Sequence, residues 1–176
     1  MMRKLKNEEL GRPCLEEFKT KEKTPIVLIL DNVRSLNNIG SIFRTADAFA
    51  IEKIILCGIT GTPPNKEISK TALGATESME WSYCEKTSDA IQKLKQETYF
   101  IIAVEQVENS IALNDFSIAP EKKYAIIFGH EIRGVEQEVI DQCDACIEIP
   151  QFGTKHSFNV SVSAGIVLWD LFNKLQ

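Results

Sequence analysis

Residues 124–169 read YAIIFG-HEIRG-VEQEVIDQC-D-ACIEIP-QFGTKHSFNVS-VSAGIVLW. The pattern is strand, polar loop, short helix, strand, polar loop and buried helix, with almost no spare residues. Both polar loops leave the C-terminal ends of apolar strands, where open α/β sheets bind their ligands. His130, Glu131, Arg133, Lys155, His156, Ser157 and Asn159 are concentrated in them. Folding alone does not call for that density of polar groups, so this stretch is the candidate site.

Working outward, the runs at 26–30 (IVLIL), 53–58 (KIILCG), 81–84 (WSYC) and 99–104 (YFIIAV) are short and rich in β-branched or aromatic residues. Continuous apolar runs of this kind predict strands buried on both faces. Between the first two, Asn37 or Asn38 is the expected N-cap of a helix. Ile39, Ile42, Phe43, Ala46, Phe49 and Ala50 recur there at helical spacing and make a core face. Arg44 falls on a different face, and on spacing alone it is a surface arginine. Residues 59–77, with Pro63-Pro64, predict a mobile loop holding a short helix. Residues 88–97 form an amphipathic helix with Ile91 and Leu94 inward, and 107–123 are a longer connection with room for one helical turn. Strands alternating with helices throughout predict an α/β fold, a mostly parallel sheet covered on both faces.

The last helix, about 159–175, carries Val160, Val162, Ala164, Ile166, Val167, Leu168, Trp169, Leu171 and Phe172. It is apolar nearly all round and must be buried on more than one side. One face packs on the sheet. A second copy covers the other, so a homodimer through this helix is expected.

The 176 residues, 44% apolar and 26% charged, suit one domain with a real core. Residues 1–23 hold seven Lys/Arg against five Glu and read as a charged, solvated arm, or a frayed helix around Leu10, Leu15 and Phe18. The net charge of −5 argues against a protein that coats nucleic acid. The candidate loops are nonetheless locally basic (Arg34, Arg44, Lys66, Lys70, Arg133, Lys155), which suits a small anionic footprint. The sequence shows no secretory leader and no run long enough to span a bilayer, so the expectation is cytoplasmic with no membrane partner. Five cysteines fit a reducing compartment; Cys143 and Cys146 form one CxxC, half a zinc site, and are expected to pack at a helix-to-strand junction rather than hold metal. Neither G-x-G-x-x-G after a strand, nor G-x-x-x-x-G-K-[ST], nor G-x-S-x-G occurs, so dinucleotide sites, P-loops and nucleophile elbows are unsupported.

Three stretches taken together resemble a known family. NNIGSIFRTADAFAIEKIILCG, IIFGHEIRGVEQEVIDQCDACIEIP and IPQFGTKHSFNVSVSAGIVLWDL resemble, in order and spacing, motifs 1, 2 and 3 of the SpoU family of RNA ribose methyltransferases, of the SPOUT superfamily. The resemblance covers about residues 25–175. It implies a catalytic domain at 24–176 whose C-terminal part is threaded as a deep trefoil knot, a topology pattern alone would not propose. It implies S-adenosylmethionine as cofactor, held by strand-end loops, with Gly129, Ile149, Phe158 and the loop after Val104 as contacts. For chemistry it points to Asn38, Arg44, Glu131, Ser157 and Asn159. A guanidinium is essentially always protonated, so Arg44 is expected to grip the RNA and orient a ribose 2′-hydroxyl, its standing as a base left open. Asn38 and Asn159 would position it and the cofactor; Ser157 and Glu131 would shape the ribose side. The RNA is expected to be tRNA, with ribosomal RNA second. A non-catalytic RNA-binding or assembly factor keeping the fold is the other class.

Overall fold

The computed structural model describes residues 2–176. A 3-10 turn (Asn7–Leu10) and α1 (Leu15–Thr20) precede β1 (Thr24–Asp31), α2 (Leu36–Ala48) and β2 (Ile51–Cys57). Then come α3 (Lys66–Ala72), α4 (Ala75–Ser78), β3 (Trp81–Cys84), α5 (Thr87–Gln96), β4 (Tyr99–Val104) and β5 (Ile111–Ala112). β6 (Lys123–Phe128), α6 (Gln137–Ile140), β7 (Ala145–Glu148) and α7 (Val160–Leu175) complete the chain. The seven strands form one sheet in the order β3-β2-β1-β6-β4-β7-β5, with every pairing parallel.

The apolar runs are explained by two cores, one on each face. Side chains alternate along a strand. Ile26, Leu28 and Leu30 of β1 join Ile126, Phe128, Ile102 and Ile147 beneath α2 and α7. Val27 and Ile29 face the other way, with Ile101, Ala103, Ala125 and Ile127, against Ile91 and Leu94 of α5 and Val139 of α6. A strand that must satisfy both layers has no place for polar residues.

The structure corrects four local expectations. The N-cap of α2 is Ser35, whose side chain accepts from the Asn38 N–H at 3.3 Å; neither Asn37 nor Asn38 caps it, because the Asn38 side chain is engaged elsewhere. The 59–77 stretch holds two helices, α3 and α4. The 107–123 connection contains β5, a two-residue edge strand too short to leave a periodic signal. The arm is not free of the body: Phe18 is buried within the α2/α7-side core, and the Lys23 ammonium lies 3.3 Å from its ring centroid.

Cys143 and Cys146 are half-buried at the α6–β7 junction. Burial pushes the Cys143 thiol up to about 12 and raises that of Cys146. Thiols held protonated are poor ligands and poor nucleophiles. Among the described residues no cluster of three or more His, Cys, Asp or Glu is arranged to hold a metal, and no helix is long and apolar enough to cross a membrane.

α2 and α3 pack in close contact at Gly40, where a Cβ would collide with Thr71 Oγ1 and the Ile68 carbonyl. Gly40→Ala should therefore cost about 1–3 kcal/mol of overpacking, read as a lower urea midpoint at unchanged slope. An unchanged midpoint would mean that the two helices part freely.

Candidate active site

Strand order builds the site. β6, β4 and β7 are adjacent and parallel, so the loops leaving their C-terminal ends lie side by side. Together these loops rim an open cleft of about 220 Å³. Val104, Gly129, Ile149 and Phe158, the four expected cofactor residues, all line it, and so do Glu131 and Ser157.

Asn38 and Asn159 are tied to the cleft by hydrogen bonds. Glu131 Oε2 accepts the Arg34 N–H at 3.0 Å; its Oε1 accepts the Ser35 N–H at 2.9 Å and the Asn38 side-chain amide at 3.1 Å. The carboxylate thus sits at the N-terminus of α2, where the helix dipole favours negative charge. Burial acts to raise the Glu131 carboxyl, but the Arg34 and Ser35 N–H groups, with Asn38, outweigh it and hold it below the usual range. Asn38 Oδ1 in turn accepts from Asn159 Nδ2 at 3.1 Å. Asn159 Oδ1 caps α7, accepting from the Ser161 N–H at 2.9 Å and more weakly from Val162 at 3.4 Å. Three polar residues from three separate stretches therefore form one chain of bonds, and both Glu131 oxygens are engaged as acceptors.

The 130–134 turn is closed from within. His130 and Gly134 exchange backbone bonds of 3.0 and 2.8 Å. His130 is buried, and its Nδ1 accepts the Ile132 N–H at 3.0 Å, so the ring proton belongs on Nε2. Gly134 has φ +68°, and a side chain at Gly129 would strike the Gly134 backbone. These two glycines let the turn fold back on its own strand.

Glu105 was not among the expected site residues. Its Oε2 accepts the Val135 N–H at 2.9 Å and its Oε1 the Gln106 N–H at 2.9 Å, so it ties the β4 loop to the β6 loop across the cleft. The available signal was a carboxylate placed directly after the apolar run YFIIAV.

Arg44 is not brought to this cleft. It is exposed and lines a second, larger hollow of about 690 Å³ between residues 10–21 and α2–α4, with Arg12, Lys21 and Asp47. Helix geometry explains the separation, since six residues beyond Asn38 lie about 9 Å further along α2 and roughly 120° around it.

A family model, the SpoU rRNA Methylase family, matches residues 25–169. The chain belongs to the SpoU family. An uncharacterized tRNA/rRNA methyltransferase of Borreliella burgdorferi is 32% identical over 165 residues, 92% of this chain and 69% of that protein. Relatives from Staphylococcus are longer, and this chain spans 63% of their length. An AdoMet-bound rRNA methyltransferase from Sinorhizobium meliloti superposes with a TM-score of 0.80 at 26% identity, over 90% of this chain and 60% of that one. An A. aeolicus TrmH/SpoU tRNA modifying enzyme gives 0.80 at 24% identity, over 91% and 80%, and shares the SpoU fold.

The two roles of the Asn159 amide, capping α7 and donating to Asn38, can be separated by substitution. Asn159→Asp keeps the cap and should leave stability within about 0.5 kcal/mol, whereas Asn159→Ala should lose about 1 kcal/mol. Both remove the donor to Asn38, so the Asn38 side-chain amide resonance should shift in both variants. An unmoved resonance in either would contradict the bond.

Proposed function

We propose that this chain is an S-adenosylmethionine-dependent RNA methyltransferase that methylates a ribose 2′-hydroxyl, in tRNA in preference to ribosomal RNA, in the cytoplasm. The observation that carries the reading is the convergence of Val104, Gly129, Ile149, Phe158, Glu131 and Ser157 on one cleft, with Asn38 and Asn159 bonded to its wall. The cleft suits the cofactor: apolar flanks from Val104, Ile149 and Phe158, polar groups from Glu105 and Gln151, and a glycine turn that allows close backbone approach. When bound, S-adenosylmethionine supplies a methyl group activated on a sulfonium. The trefoil thread of the C-terminal part belongs to the same reading, supported by the likeness to the SpoU structures.

The chain's own residues divide the remaining work. Glu131, with both oxygens engaged, is a positioning residue that holds the start of α2 against the cleft. Asn38 and Asn159 set the distance between the motif 1 and motif 3 loops. Arg44 grips the RNA and orients the 2′-hydroxyl, and because it lies outside its own subunit's cleft, it is supplied by a second copy. The dimer is formed through α7, whose Val162 and Trp169 are 48% and 59% exposed and continue into the Phe49–Phe172 aromatic cluster. Holding donor and acceptor together in an attack-ready pose is the largest contribution such positioning makes, on the order of 7–11 kcal/mol. Residues 1–23 are an appendage to the 24–176 catalytic domain.

Mixing two inactive variants tests the composite site. Arg44→Ala and Asn159→Ala should each abolish 2′-O-methylation of tRNA, read by nuclease digestion and mass spectrometry, and Arg44→Ala should leave cofactor affinity within a few-fold. Re-formed mixed dimers carry one intact site each, so an equal mixture should recover about a quarter of wild-type activity by subunit statistics. A mixture that stays inactive would place each site within one subunit. Absence of cofactor binding at millimolar concentration would instead favour a non-catalytic RNA-binding factor.

A further inference from the structure

Two apolar side chains stand in solvent at the rim of the cleft. Ile132, on the 130–134 turn, lines the cleft and is 83% exposed; Phe152, next in the chain to the cleft-lining Gln151, is 98% exposed. Among the described residues Phe152 takes part in no aromatic pair. A single exposed apolar side chain is ordinary on a protein surface; what sets these two apart is where they stand, on the two loops that form the cleft, and the charge around them.

The charge around these residues narrows the occupant. The 149–159 loop contains Lys155 and His156 and no acidic residue, within a chain of net charge −5. Lys155 has no ion pair among the described residues, and Arg133 has only a loose, exposed one with Glu136 at 3.7 Å. Of the three carboxylates lining the cleft, Glu131 is turned to its three donors and Glu105 to two backbone N–H groups, and Glu148 is the third. An aromatic face on a loop with an unpaired lysine and no acid of its own fits an unpaired nucleotide, whose base stacks on the ring while its phosphates meet the cations.

We propose that Phe152 is a stacking platform for an unpaired base of the RNA, with Ile132 as a second apolar contact and Lys155 and Arg133 on the flanking phosphates. The platform selects nucleotides that stand outside a helix, so a looped or unstacked target is presented and a paired one is refused. The proposal rests on the RNA methyltransferase reading and deepens it.

Undermethylated bulk tRNA is the first probe and total ribosomal RNA the second. Phe152→Ala should raise KM for the methylated RNA about tenfold or more, the range of one lost base–aromatic stack, with cofactor Kd within twofold. Phe152→Trp should restore KM, because stacking needs a ring and not a particular one. An unchanged KM in Phe152→Ala, or an equal loss in Phe152→Trp, overturns the platform. A change of oligomeric state in sedimentation also overturns it, by making Phe152 a contact between copies. If the wild-type protein methylates neither probe, the parent reading fails, and gel-shift affinity for a single-stranded RNA oligonucleotide still judges the platform: weaker binding by Phe152→Ala supports it and equal binding refutes it.

Discussion

The bridge from Glu131 through Asn38 to Asn159 is the constraint on which the site depends. Each partner comes from a different part of the chain, and each bond closes a gap of more than 90 residues in sequence. The three ends it joins are the start of α2, the turn after β6 and the start of α7. The two helix starts contain backbone N–H groups that need acceptors, since the first turn of a helix leaves its donors unpaired. The bridge satisfies several of these donors with side chains that also shape the cleft. Helix capping and site assembly are therefore one set of bonds, and a change that loosens one loosens the other.

The parallel sheet supplies the frame. With β6 between β1 and β4, loops distant in sequence emerge at neighbouring positions along one edge. The two cores beneath and above keep those strand ends from moving independently, because every β1 residue from Ile26 to Leu30 is essentially inaccessible to water. Glu105 then joins the β4 and β6 loops through one carboxylate, and the tight 130–134 turn presents Ile132 outward. Rigid strands with short polar loops hold the cleft open without a large enclosed cavity.

Much of this was legible in the residues. β4 reads directly from its apolar run; β1 extends beyond its run to Thr24 and Asp31, β2 begins two residues before Lys53, and β6 is shifted by one residue, to Lys123–Phe128. The polar loops at the strand ends already marked His130, Glu131, Arg133, His156 and Ser157, all of which line the cleft, but Val104, Gly129 and Ile149 were legible only through the motif resemblance, because nothing in spacing shows that they end on one surface. What escaped was set by tertiary contact. Ser35 displaced Asn38 as the cap since Asn38 is held by Glu131, a partner 93 residues away. Phe18 was read as part of a solvated arm, yet one aromatic side chain was enough to dock the segment. The placement of Arg44 away from the cleft follows from six residues of helix, a rotation that motif matching ignores.

The account's central claim is that the ends of β4, β6 and β7 form a single binding surface for the methyl donor. The most direct measurement is a titration of S-adenosylmethionine into isotopically labelled protein, followed by backbone amide resonances. The account predicts saturable shifts at Val104–Gln106, Gly129–Gly134 and Ile149–Phe158, with residues 10–21 of the second hollow unmoved. Shifts centred on that hollow, or none up to millimolar cofactor, would contradict it.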